Sequence, residues 1–148
     1  MTRLVLLLLL AASSPALASP QSETDAAVEA AYSSEHRRCL DASGGGDVAM
    51  IECNGAEFSR QDAALNAAYR ALLARLPKAE ASRIRTSQRT WLRAGKTVCD
   101  RSIGTPFRSW GTLERLRWSN CNLDRTIRRT VLLERYRAGR ATLRDLNR

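Results

Sequence analysis

Four cysteines, Cys39, Cys53, Cys99 and Cys121, are the residues whose chemistry is simplest to state. An even set in a chain that opens like an exported protein reads as two disulfides, for which three connectivities exist. The spacing favours local closure, Cys39 with Cys53 and Cys99 with Cys121. Each bridge would close a modest loop, worth on the order of 3 kcal/mol in the chain-entropy picture. No CxxC pair occurs and His36 is the one histidine, so a metal site has little support and no cofactor is implied.

A second set of residues interrupts the apolar faces of otherwise ordinary helices. Leu65, Tyr69, Leu72 and Leu76 recur at helical steps, yet Asp62 and Asn66 fall on or beside the same stripe. Further along come Gln88, Arg89, Trp91 and Leu92, and then Thr126, Arg129 and Leu133. A buried polar side chain left without a partner costs about 1–3 kcal/mol. Mutual satisfaction across a helix bundle is therefore expected, with Asp62 and Asn66 meeting Gln88, Thr126 or Arg129. A carboxylate paired with arginine would also fix which helices face each other. General acid–base chemistry has less support. Asp62 has no second carboxylate at helical spacing, His36 has no triad partners, and SGGGD at 43–47 reads as a hinge, not a phosphate loop.

The third set is cationic. Arg85, Arg89, Arg93 and Lys96 form a stripe one residue round from the apolar face of their helix, and within that stripe no acidic residue stands four positions away to pair with. An anionic partner fits such a face: the acidic cleft of an enzyme, lipopolysaccharide, anionic phospholipid or nucleic acid. Aromatic residues are sparse beside it, so base stacking and specific nucleic-acid recognition are not expected.

Four helical segments must carry these residues. The first spans about 22–40, with Ser22 as cap and Val28, Ala31 and Tyr32 as a weak apolar face; DASGGGD ends it. Asp47 can cap the second, which carries Ile51, Phe58, Leu65, Tyr69, Leu72 and Leu76 and stops at Pro77. The third spans about 79–100, with Ile84, Gln88, Trp91, Gly95 and Val98 on one face. RSIGTPFRSWG reads as a loop. The fourth spans about 112–138, lined by Leu113, Leu116, Leu123, Ile127 and Thr130, and the tail after Gly139 either continues as helix or frays. No strand-like alternation of useful length appears. The predicted fold is an all-α antiparallel bundle of three to four helices stapled by two disulfides.

The chain opens with Arg3, an apolar run over 4–12 and an Ala-x-Ala pattern at Ala16 and Ala18, which reads as a signal peptide over 1–18. The run is too short for a permanent membrane anchor. A periplasmic or secreted protein of residues 19–148, folded as one domain, is expected. Charge is uneven. Residues 19–78 hold six Lys/Arg against nine Asp/Glu, whereas 79–148 hold seventeen against six. The excess predicts attraction to anionic partners, while Glu52 and Glu57 offer a contrasting acidic patch.

The ordered residues also resemble a known family. Cys53, Asp62, Leu65, Asn66 and Tyr69, then Gln88, Arg89, Trp91, Leu92 and Cys99, then Cys121, Thr126, Arg129 and Leu133 follow the pattern of the LprI-like lysozyme-inhibitor family across about 39–133. The family's aromatic-Arg-Asp run after the tryptophan is replaced here by Ala94, Gly95 and Lys96. The resemblance implies a small secreted helical domain that binds and does not catalyse, with a lysozyme or other muramidase as partner. The alternative reading is a cationic envelope-associated protein that binds polyanions without inhibiting anything.

Overall fold

The computed structural model describes residues 19–104 and 106–148, with the side chains of Pro20 and Lys96 left aside. The expected signal peptide lies outside these residues. Among the described residues six α-helices follow one another: α1 (Pro20–Ala31), α2 (Ser34–Ala42), α3 (Asp47–Leu73), α4 (Lys78–Ile103), α5 (Thr112–Arg137) and the short α6 (Leu143–Leu146). A 3-10 turn, Phe107–Ser109, sits between α4 and α5. No strand occurs among the described residues.

The first expected helix is in fact two. Ser19, not Ser22, caps α1, accepting from the Ser22 backbone N–H. Tyr32 is extended, and Ser33 then caps α2 by accepting from His36 N. A short polar side chain competing for backbone hydrogen bonds is what breaks the helix there, in the absence of Pro or Gly. Gly44 and Gly45 take positive φ in the turn that follows. At the other junction, α3 ends at Leu73, three residues before Leu76, and Pro77 stands as N-cap of α4. Gly104, at φ 76°, closes α4 in the left-handed conformation that glycine adopts without a Cβ penalty.

Helix directions follow from which residues meet. Along α3 and α5, Thr112 bonds Asp47 and Ser119 bonds Asn54, a constant offset, so these two helices run parallel. Between α4 and α5, Cys99 meets Cys121 and Gln88 meets Arg129, so partners move in opposite senses and the pair is antiparallel. Likewise Asp25 meets Arg128 and Glu23 meets Arg135, which sets α1 antiparallel to α5. α5 is thus the central helix, packed by α1, α3, α4 and α6.

Two apolar clusters fill the spaces around it. Leu65 and Leu72 of α3, Ile84 of α4, Leu133 of α5 and Leu146 of α6 form the larger. Val28 of α1 packs with Leu123, Ile127 and Val131 of α5 in the other. The disulfides Cys39–Cys53 and Cys99–Cys121, the pairing anticipated from spacing, tie α2 to α3 and α4 to α5. The tail neither extends α5 nor frays. Thr142 caps α6, accepting from Asp145 N, and Leu146 is buried.

Candidate binding surfaces and buried polar networks

Asp62 and Asn66 do not enter the core. Both are exposed, and Asn66 Nδ2 donates to the Asp62 carbonyl and to Asp62 Oδ2 at 2.9 and 3.0 Å. The expected pairing with Gln88, Thr126 or Arg129 is therefore corrected. The buried face of α3 keeps Leu65 and Leu72 from the stripe that the apolar periodicity suggested, with Tyr69 and Leu76 packed beside them, but it widens away from Asp62 to take in Asn54, Glu57 and Gln61. Phe58, assigned to the core by that same stripe, is accordingly exposed. Asp62→Ala should shift stability by no more than about 0.5 kcal/mol, as exposed substitutions do. Thermal melting checks this, and a loss of several degrees would contradict the exposed placement.

The buried carboxylate belongs to Glu57, not to Asp62. Glu57 is fully buried, which removes it from the acidic surface patch expected with Glu52; Glu52 itself is exposed. Ser33 donates to it twice, from N to Oε1 at 3.0 Å and from Oγ to Oε2 at 2.6 Å. Gln61 Nε2 donates to Oε1 and Arg60 Nε to Oε2, at 2.7 and 2.8 Å. Burial alone would raise this carboxyl's pKa. The hydrogen bonds to its charged form outweigh burial and hold it down to about 2. The group therefore clamps the α1–α2 corner onto α3.

A second network joins α2, α3 and α5. His36, buried and stacked on Tyr32, lies 2.9 Å from Asn54 Oδ1 through Nε2. Since that oxygen accepts, the proton is assigned to Nε2. Asn54 Nδ2 in turn donates to Ser119 Oγ and Asn120 Oδ1 at 2.9 and 2.6 Å.

Arg129 organises the third. Its guanidinium is 1% exposed and finds three neutral acceptors: Gln88 Oε1 at 2.8 Å, Leu146 O at 2.6 Å and Ser87 Oγ at 3.1 Å. Trp91, half-buried and not a full core residue, carries Arg129 and Arg125 over its ring at 5.7 and 4.9 Å. Burial lowers the Arg129 pKa to about 10, so the group stays charged at neutral pH. Thr126, also buried, donates to Asn122 O and takes no part in this network. Tyr69 and Leu133 belong to the larger apolar cluster, whereas Leu92 is exposed. Gly95, in the stretch that departs from the family pattern, gives Arg125 room. A Cβ there would lie 3.0 Å from its Nη1.

Two surfaces remain open to a partner. Arg85, Arg89 and Arg93 are all exposed on α4, and none makes an ion pair among the described residues. Arg89 and Arg93 reach only Thr86 and Thr90, one turn back. The Lys96 side chain lies outside the described set. The second surface is an aromatic groove between α3, the 3-10 turn and the start of α5, which the sequence did not announce. Its Phe107 and Trp110 fall in a segment legible only as loop. The exposure of Phe58 is a signal visible only once the phase of α3 is known.

Helices braced by internal polar networks and two disulfides define a small disulfide-stapled helical domain. The chain belongs to the LprI lysozyme-inhibitor family, whose model matches residues 39–133. No curated protein and no solved structure gives a significant match.

Proposed function

We propose that the protein is an exported inhibitor of lysozyme-type muramidases and that the α4 arginine face is its working surface. Family membership supports the target class, and the exposed, unpaired Arg85–Arg89–Arg93 row supports the surface. Successive members stand one helical turn apart, a rise of about 6 Å. The two catalytic carboxyls of a retaining glycosidase stand about 5–5.5 Å apart. Two neighbouring guanidiniums can therefore face both carboxylates at once, each with a bidentate geometry available. No helix among the described residues is long and apolar enough to cross a membrane.

The test is charge reversal of Arg89 and Arg93 to Glu, read by lysozyme inhibition and by the thermal melt. Inhibition should weaken by at least about tenfold, the cost of losing charge-assisted contacts, with the melt unchanged. Retained inhibition with an unchanged melt would exclude this face. The seventeen cations of residues 79–148 favour a second reading, a polyanion binder without inhibitory activity. That reading gains if the unmutated protein inhibits no lysozyme and its affinity for anionic polymers falls steeply with salt.

A further inference from the structure

The aromatic groove has a composition unlike the arginine face. Ile51 and Phe58 of α3 form one wall, and Phe107, Trp110 and Trp118 form the other, enclosing about 360 Å³. The rings are contiguous. Phe107 and Trp110 have centroids 5.0 Å apart, and Trp110 and Trp118 6.4 Å apart. The polar groups along the floor are already committed. Asn54 Nδ2 donates to Ser119 and Asn120, Ser119 Oγ to Leu116 O, and Asn122 Nδ2 to Trp118 O. Trp118 Nε1 donates outward to Asp100. What the groove offers a visitor is therefore apolar ring surface.

A single charge lines it. Arg115 sits with its guanidinium 5.7 Å from the Phe107 ring centroid and makes no ion pair among the described residues. No carboxylate is among the lining side chains. An apolar groove lined by one cation that makes no ion pair among the described residues is complementary to a molecule with an apolar chain and one anionic head.

We propose that this groove binds a single-chain anionic amphiphile, a fatty-acid-like carboxylate whose chain lies along the rings and whose head meets Arg115. Pockets that hold small ligands commonly enclose about 300–1,000 Å³ and combine apolar walls with a few placed polar groups, which is the pattern here. The site is independent of any muramidase, so it stands or falls separately from the inhibitory reading.

The probe is dodecanoate, kept below its micellar concentration and titrated against the full chain by calorimetry and tryptophan fluorescence. Saturable binding with a fluorescence change is expected, since Trp110 and Trp118 line the site. Octanoate should bind about tenfold more weakly, because four half-covered methylenes are lost. Dodecyltrimethylammonium, with the opposite head charge, should also bind about tenfold more weakly, as should Arg115→Glu with dodecanoate. Phe107→Ala removes an exposed ring and should weaken binding several-fold while leaving the helical spectrum unchanged. Absence of saturable binding, equal affinity for the two head charges, no dependence on chain length, or undiminished affinity in both variants would each overturn the assignment.

Discussion

Arg129→Ala is expected to destabilise the protein by about 3–5 kcal/mol, with a melting temperature lower by about 10–15 °C. The substitution removes a side chain that is 1% exposed and leaves Gln88 Oε1 and Ser87 Oγ without the donor they accept from, while the Leu146 carbonyl keeps only the Ser87 hydroxyl at 3.3 Å. Each stranded acceptor costs about 1–3 kcal/mol. A cavity beside Trp91 adds to this. Arg129→Lys separates charge from geometry. Lysine keeps the cation but has no planar fork to reach acceptors on α4 and α6 together, so it should recover less than half of the loss. Urea unfolding of the three proteins measures the differences. A loss below about 1 kcal/mol in the alanine variant would mean that α6 does not depend on this clamp.

Glu57→Gln is the second large effect, at about 2–3 kcal/mol near neutral pH. The amide keeps the shape of the carboxylate but turns one accepting oxygen into a donor facing Ser33, Gln61 or Arg60. The pH dependence identifies the cause. The folded-state pKa lies below the unfolded one, so the carboxylate's contribution is fully present above the usual glutamate range near 4.5. It is lost as pH falls from there through about 2. The lowering corresponds to roughly 3 kcal/mol. The gap between wild type and Glu57→Gln should accordingly be widest above pH 5 and close as pH approaches 2. A gap that stays constant across that window would assign the loss to packing instead of charge.

The parts of this structure legible in the sequence are those that depend on spacing alone. Cysteines 14 and 22 residues apart bridge neighbouring helices, and Pro77 and Gly104 mark helix ends. The full width of the buried face of α3 was not legible. Ala63, Ala64, Ala67 and Ala68 are tolerated on either side of a helix, and the truly buried face carries Asn54, Glu57 and Gln61. Hydrophobic counting therefore found Leu65, Tyr69, Leu72 and Leu76 but missed the polar side of the same face, and so took Phe58 and Asp62 as nearer its centre than they are. The α1–α2 break depends on Glu57, 24 residues beyond Ser33, and the docking of α6 depends on Arg129, 17 residues before Leu146. Neither partner is visible from the segment it fixes. The arginine row was readable because exposure follows directly from helical spacing, whereas the aromatic groove arises from a turn that brings Phe107 and Trp110 beside α3.

The parallel course of α3 and α5 has a consequence for how uniquely the bundle assembles. Leucines on two long helices attract each other in almost any alignment, and a slip of one turn, about 6 Å, would leave much of that attraction intact. Asn54 permits no such slip. Displaced by four residues along α5, its amide would face Arg115 and Leu116, or Leu123 and Asp124, in place of Ser119 and Asn120. His36 would lose its bridge to α5 at the same moment. The apolar residues supply the adhesion between the helices, and this amide sets the notch in which they come to rest.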